Sequence, residues 1–346
     1  MTQGAAGGSR VAPGGCDRPL TGAYDTALLD LDGVVYAGPA AIEHAVESLA
    51  VARAAGMRLA YVTNNASRPP RVVAAHLSEL GVPAEPEDVI NSAQAAARLV
   101  SERVPAGSKV LVVGGAGLEE ALVERGLVPV RSLDDDPAAV VQGYDPTIGW
   151  ADLAEASYAV GRGLPWVASN TDMSIPTARG IAPGNGTLVA AVRAATGAEP
   201  EVAGKPLPPM HRETVIRTGA RRPLVVGDRL DTDIEGAFNG GVDSLLVFTG
   251  VTTPAMLLSA PVEHRPTYLA EDLRGLLEAQ PEVVALGGGV FGCGGWSASV
   301  VDGALRLEGA GERWDGLRAL CGAAWSALDA TGAAADGRKA LAELAL

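Results

Sequence analysis

Apolar residues along this chain fall into short unbroken runs that alternate with stretches spaced by three and four, and the alternation predicts the architecture. TALLDLDGVVY, from Thr26, is an apolar run broken by acid, and Ile42, Val46 and Leu49 follow at helical spacing before a stop at Gly56. MRLAYVT reads as a second buried strand, and a helix opening at Ser67 and Pro69-Pro70 closes at Gly81. The middle of the chain continues the alternation, with KVLVVGG as a strand, LEEALVERG as a helix and AAVVQGY as a strand, which predicts a separate α/β unit. A third block begins near Lys205, with a helix around His211 to Gly219, the strand PLVVGD, a helix from about Asp233 and the strand SLLVFTG; it is assigned back to the first domain. Strands apolar at every position and joined through helices predict a doubly wound α/β fold, its parallel sheet covered on both faces.

Two stretches break the rhythm. Residues 1–20 are rich in Gly, Ala and Pro without periodicity and are expected to form a flexible leader. VVALGGGVFGCGGW, near residue 284, is expected to be a linker or boundary because of its glycine density. Beyond it, WSASVV and ALRLEG flank Asp302-Gly303, a two-residue hairpin signal, and a helix is expected from Trp314.

Composition then narrows the function classes. A formal net charge of -14 with no basic run argues against nucleic acid, whose phosphates need clustered Lys and Arg. No segment approaches about 18 uninterrupted apolar residues, and the first residues lack a signal-peptide layout, so the expectation is a cytoplasmic protein with no membrane partner. Cys16, Cys293 and Cys321 show no CxxC pairing and are expected to be free thiols.

In open parallel sheets ligands bind beyond the carboxyl ends of the strands, so the residues that end each apolar run matter most. Here those are Asp30 and Asp32 in DLDGV, Thr63-Asn64-Asn65, and Asp228 in GDRLDTD, with Lys205 in GKPLP just before a helix. Singly each is weak: an Asp beside Gly is commonly a turn or cap residue, and a lone Lys is commonly a solvated one. Together and in this order they suit phosphoryl transfer, which demands in-line attack and charge neutralisation. Asp30, Asp228 and a bound phosphate concentrate negative charge, which calls for a hard cation with oxygen ligands, Mg²⁺, together with Lys205. Asp32 is suited to protonating the leaving alcohol and later activating water, and the Thr63 hydroxyl with the N–H groups after it to holding the transferring oxygens.

These motifs resemble those of the haloacid dehalogenase (HAD) superfamily of phosphatases: DLDGV, TNN at Thr63, GKP at Lys205 and GDRLDTD with Asp228 and Asp233. The long insertion between the second and third motifs, the TNN form and SNTD at Ser169 to Asp172 are similar to subfamily IIA, which includes p-nitrophenyl phosphate, phosphoglycolate and glycerol 3-phosphate phosphatases. The resemblance implies a Rossmann-like core at residues 21–96 and 191–280, an inserted α/β cap at 97–190, and a small α+β C-terminal extension at 281–346. It implies that Asp30 forms an aspartyl-phosphate and that Asp32 is the general acid/base. The metal ligands become Asp30, Asp32 through its main-chain carbonyl, and Asp228, while Lys205 bridges nucleophile and phosphate. Asp233 stands behind the ligands, a role for which Asp231 competes. In the cap, Asn170, Asp172 and Arg179 join Thr63, Asn64, Asn65 and Lys205 as expected substrate contacts.

The expected reaction is Mg²⁺-dependent hydrolysis of a small phosphate ester, glycerol 3-phosphate first, with 2-phosphoglycolate or pyridoxal phosphate as alternatives. Readings from other classes are a nucleotide-sugar transferase using DxD, which does not require Thr63, Lys205 or GDRLDTD, and a catalytically silent binding protein, against which intact Asp30 and Asp32 argue. VVGGAGLEE lacks the GxGxxG spacing of a dinucleotide site. Residues 281–346 have elements reminiscent of an acetyltransferase fragment but no acyl-CoA pyrophosphate loop, so a structural or dimer-forming role is expected, a homo-oligomer being compatible with it.

Overall fold

The strand Thr26–Leu29 is buried at all four positions and pairs in parallel with Pro223–Gly227, in the register Thr26↔Pro223 to Leu29↔Val226. The structure is a computed structural model that describes residues 11–177 and 179–346. It divides into two compact units, one drawn from the chain up to Ala60 and from Ala220 to Leu346, the other from Tyr61 to Gly219.

In the first unit, Asp243–Val247 and Tyr268–Ala270 extend the parallel sheet on one side, and Arg58–Thr63, within which the unit boundary falls, follows Thr26–Leu29 in the strand order. The helix Ala45–Ala54 buries Ala45, Leu49 and Ala52, the i, i+4, i+7 stripe of a helix lying on a core. Ile42, expected to open this helix, precedes it, after a short hairpin of Tyr36–Ala37 and Ala40–Ala41 too brief to leave a periodic signal. Part of the expected leader is tied down: the Gly14 N–H donates to the Thr267 carbonyl at 2.8 Å, Cys16 and Gln280 exchange main-chain bonds, and Leu20 is fully buried. Residues 1–10 lie outside the described residues.

The glycine-rich stretch expected as a linker is instead the start of an antiparallel sheet. Val284–Gly287, Val290–Cys293, Trp296–Val301 and Ala304–Gly309 lie side by side in that order, followed by the helix Arg313–Thr331. Gly287, Gly288 and Gly289 all have positive φ, so these glycines build the turn between two strands. Asp302-Gly303 forms the expected hairpin turn, both residues at positive φ. Phe291, Leu305, Leu317, Leu320 and Trp325 share one core with Leu246, Leu257 and Leu269 of the parallel-sheet region. Fully buried Trp325 donates its Nε1–H to the Leu257 carbonyl at 2.9 Å, and Arg265, stacked 5.3 Å from its ring, forms a two-pronged pair with Asp329. The extension is therefore welded into the first unit.

The second unit carries a five-stranded parallel sheet in the order Glu201–Val202, Trp166–Ala168, Ala139–Gln142, Lys109–Val113, Val128–Val130. Helices Trp150–Gly161 and Asn185–Thr196 supply Ala156, Val160, Val189 and Val192 to its core. The stretch MSIPTARGIAPGNG, which carries Arg179, contains the antiparallel hairpin Ser174–Thr177 and Gly180–Pro183. The unit also includes Tyr61–Thr63 paired with Val89–Asn91, and the helices Ser92–Ser101 and Pro208–Thr218. This unit takes in more of the chain than residues 97–190, and a buried ion cluster ties part of it together: the fully buried Glu213 carboxylate takes Arg98, Arg125 and Arg217, so helices Ser92–Ser101 and Pro208–Thr218 and the end of Ala116–Glu124 are joined at one point. No helix among the described residues is long and apolar enough to cross a membrane.

Candidate active site

In the first unit the sheet brings acids to its carboxyl edge. Asp30 follows Leu29, its N–H bonded to the Val226 carbonyl at 2.8 Å, and Asp228 follows Gly227 on the adjacent strand. Asp233 enters from a π-helical turn, Leu230–Ile234, where its Oδ2 accepts the Arg229 N–H at 3.2 Å. One carboxylate oxygen from each of Asp30, Asp228 and Asp233 lies within 4.8 Å of the other two, and Asp228 and Asp233 are each 1% exposed. Asp228 and Asp233 are buried and Asp30 is half-buried, and carboxylates this close are stabilised by a shared cation. An all-oxygen acidic donor set of this kind fits Mg²⁺.

The chain leaves room for this cluster by omitting side chains. Gly33 sits at φ +86°, and a Cβ there would stand 2.7 Å from Asp228 Oδ2; a Cβ on Gly250 would collide with the same oxygen. Around them the Thr249 hydroxyl donates to the Gly33 carbonyl at 2.6 Å and the Val251 N–H to Asp228 Oδ2 at 2.7 Å. Thr249, Gly250 and Val251 were missed in the sequence, although they too follow an apolar strand, Asp243–Val247, and the strand-end rule applied evenly reaches them. Asp233, expected behind the ligands, has its carboxylate inside the cluster, because the π-helical turn folds it back toward Asp228. Asp231 does not compete for the place: it is exposed and paired to Arg229 at 2.8 Å. The Asp32 side chain is exposed and outside the carboxylate cluster.

The second unit holds the remaining predicted residues. Thr63, 6% exposed at the end of Arg58–Thr63, accepts the Asn65 N–H on its Oγ1 at 3.1 Å, and Asn65 Oδ1 accepts the Ser67 N–H and hydroxyl at 2.9 and 2.8 Å. Asn65 therefore shapes the loop with its side-chain oxygen. Lys205 Nζ donates to the Val62 carbonyl at 3.2 Å, beside Thr63 in sequence. The Asn64 amide contacts Asp172 and the main chain of Lys205. Asn170 is 4% exposed and donates to the Asn64 carbonyl at 2.8 Å while accepting the Asp172 N–H at 3.1 Å. Ser92, fully buried, bonds the Asn64 carbonyl at 2.6 Å; its place after the strand Val89–Asn91 was the only sequence signal for it. Arg179 stands apart from this group, exposed at the turn of the hairpin with its N–H on Thr177 Oγ1 at 3.2 Å.

Comparison with known proteins identifies the family. Residues 27–128 match the model of a haloacid dehalogenase-like hydrolase family, residues 202–276 a HAD-hydrolase-like family, and residues 293–346 a GCN5-related N-acetyltransferase like domain. A D-glycerol 3-phosphate phosphatase of Mycobacterium tuberculosis is 51% identical over 253 residues, 73% of this chain and 71% of that one. An acid sugar phosphatase of Staphylococcus aureus is 38% identical over 252 residues, 72% of this chain and 95% of that one. The crystal structure of a glycerol phosphate phosphatase from Mycobacterium tuberculosis in complex with magnesium superimposes with a TM-score of 0.86 at 43% identity, covering 94% of this chain and 99% of that one. Since the two hydrolase matches take in Asp30, Thr63, Lys205 and Asp228 and the relatives extend across most of their own length, this chain belongs to the haloacid dehalogenase-like hydrolases, as a subfamily IIA phosphatase with a C-terminal acetyltransferase-like region.

Proposed function

We propose that this protein hydrolyses D-glycerol 3-phosphate to glycerol and inorganic phosphate, with Mg²⁺ held by Asp30, Asp228 and Asp233 and by the Asp32 carbonyl. The observation that carries the reaction is the trio of carboxylate oxygens within 4.8 Å at the edge of a parallel sheet. The substrate rests on the 51% identical relative of that name.

Asp30 attacks phosphorus, forming an aspartyl-phosphate as the P–O bond to glycerol breaks. Asp32, whose exposed side chain lies outside the carboxylate cluster, protonates the leaving alkoxide, then takes a proton from the water that attacks the phosphoenzyme. The second attack releases phosphate and restores Asp30. Bound Mg²⁺ supplies charge neutralisation for the carboxylates and the phosphoryl oxygens. Lys205 and Thr63 stabilise the charge on the transferring group, and Asn64 and Asn65 border it. Residues 97–190 act as the cap, with Arg179, exposed on its hairpin, as the cation it offers to the substrate. Free Cys16, Cys293 and Cys321 support a cytoplasmic location.

The test is phosphate release from glycerol 3-phosphate, 2-phosphoglycolate and pyridoxal phosphate, with and without Mg²⁺, beside the Asp30→Asn variant. The expected result is Mg²⁺-dependent turnover with glycerol 3-phosphate preferred at least about tenfold in kcat/KM, a gap of about 1.4 kcal/mol. Preference for another ester overturns the substrate, and release no faster than from Asp30→Asn overturns the reaction.

A further inference from the structure

Asn64 follows the strand Arg58–Thr63 and is half-buried. Its Oδ1 accepts the main-chain N–H of Lys205 at 2.8 Å, and its Nδ2 donates to the main-chain carbonyl of the same residue at 3.1 Å. These partners decide which amide atom is which, because a peptide N–H only donates and a peptide carbonyl only accepts. The second amide hydrogen is directed at the Asp172 carboxylate, 3.2 and 3.3 Å away. Both donors of Asn64 are thus engaged within the protein. Its main chain is held as firmly, its carbonyl accepting Ser92 Oγ at 2.6 Å and Asn170 Nδ2 at 2.8 Å. At Gly204 a Cβ would stand 2.6 Å from both Asn64 Oδ1 and the Ser169 carbonyl, so the segment before Lys205 lies directly against this amide.

Asp172 is itself part of the base of the hairpin Ser174–Thr177 and Gly180–Pro183. Its carbonyl accepts the Gly186 N–H at 2.9 Å, the neighbouring Met173 carbonyl accepts the Gly184 N–H at 2.9 Å, and Asn185 Nδ2 reaches the Asn170 carbonyl at 2.7 Å. The hairpin base, Asp172, Asn64 and the Lys205 main chain form one continuous hydrogen-bonded path.

We infer that Asn64 is a positioning residue that clamps the main chain of Lys205 and, through Asp172, couples it to the hairpin of the cap. The inference rests on the assignment of Lys205 to the phosphoryl group. It gives Asn64 and Asp172 a role distinct from substrate contact: the contacts that hold the hairpin also aim the ammonium group. Because the phosphoryl group is common to every ester, disturbing the clamp acts equally on esters with different leaving groups.

The experiment is steady-state kinetics of Asn64→Ala, Asp172→Ala, the double variant and Gly204→Ala with glycerol 3-phosphate and 4-nitrophenyl phosphate, joined by amide hydrogen exchange at residues 203–207. Asn64→Ala is expected to lower kcat by about 10- to 100-fold, by the same factor on both esters and with KM changed less than about threefold, the pattern of a misplaced catalytic group. Gly204→Ala reproduces that pattern without removing a polar group. Asp172→Ala has a smaller effect in the same direction, and the double variant resembles Asn64→Ala because the two residues act in series. Exchange at Lys205 quickens in Asn64→Ala. A KM increase confined to glycerol 3-phosphate, unchanged kinetics, or additive Asn64 and Asp172 effects each overturn the inference. If the wild-type protein turns over neither ester, the proposed function fails, and exchange at Lys205 decides the clamp separately: no quickening in folded Asn64→Ala or Gly204→Ala overturns it.

Discussion

The acidic cluster of the first unit and the amide-centred cluster of the second are held in place by different means. Asp30 and Asp228 are aimed by adjacent parallel strands, and their crowding is permitted by missing side chains at Gly33 and Gly250. Thr63 and Asn64, Asn170 and Asp172, and Lys205 lie on three separate segments and are joined by side chains bonding to main chain. The contrast has a physical reason. Like charges cannot hold one another, so the backbone braces them, and a bound cation stabilises them further. Amides and hydroxyls carry complementary donors and acceptors, so such a cluster supports itself.

The sharpest way to break the comparison is at the proposed nucleophile. Asp30→Asn removes the proposed attacking oxygen while leaving the strand intact, and turnover is expected to fall by about 10⁴-fold or more with no phosphoenzyme formed. Phosphate release and acid-quench trapping of the phosphoenzyme measure this, and residual turnover near wild type removes Asp30 from the chemistry.

The scaffolds behind the two clusters come next, each with an effect on stability of about 3–5 kcal/mol. In the first unit Trp325→Ala empties a fully buried site shared by the acetyltransferase-like region and the parallel-sheet region, and denaturant unfolding should show that loss. A loss below about 1 kcal/mol would mean that the extension is only loosely attached.

In the second unit Glu213→Ala leaves Arg98, Arg125 and Arg217 around an emptied site. Burial by itself would raise the Glu213 carboxyl, but hydrogen bonds and charge from Arg98, Arg217 and Arg125 outweigh it and hold the group below its ordinary value of 4.5. A folded value below the unfolded one gives a contribution that is complete above about pH 4.5 and is lost as pH falls through the folded value. Thermal melts between pH 7 and pH 3 should therefore show wild-type stability declining on acidification and Glu213→Gln declining less; equal slopes would exclude Glu213 as the cause.

The smallest expected effect separates two acids near the proposed metal site. Asp233→Asn should weaken Mg²⁺ binding by about 10- to 100-fold, whereas Asp231→Asn, which removes only an exposed pair with Arg229, should leave it unchanged. Titration calorimetry with Mg²⁺ reads both, and equal effects would erase the distinction drawn from the π-helical turn.

The acidic cluster was the more legible of the two. An Asp ending an apolar run can be found by eye, and so could Asp30, Asp228 and their order with Thr63 and Lys205. Asp233 was legible as an acid in GDRLDTD but not as a member of the cluster, because its position depends on a local π-helical turn that no periodicity announces. The amide cluster was legible only as a set of names. Asn64, Asn65, Asn170 and Asp172 were all expected to face substrate, whereas their bonds run largely within the protein. A side-chain amide can serve either end, and sequence does not reveal which partners the fold brings to it.

By itself the sequence determined the alternation of strand and helix, the parallel sheets, the hairpin at Asp302-Gly303 and the order and chemical types of the candidate site residues. Each of these follows from local causes: apolar periodicity, turn stereochemistry and the reactivity of a carboxylate or ammonium group. Only tertiary structure decided that the glycine-rich stretch after Val284 is a sheet with a core shared by Trp325 and Leu257, that Glu213 gathers three arginines, and that Asn64 holds Lys205 across 141 positions of chain. Those are long-range contacts, and their partners are selected by packing and by the need to satisfy buried polar groups, which act through space and leave no periodic mark on the chain.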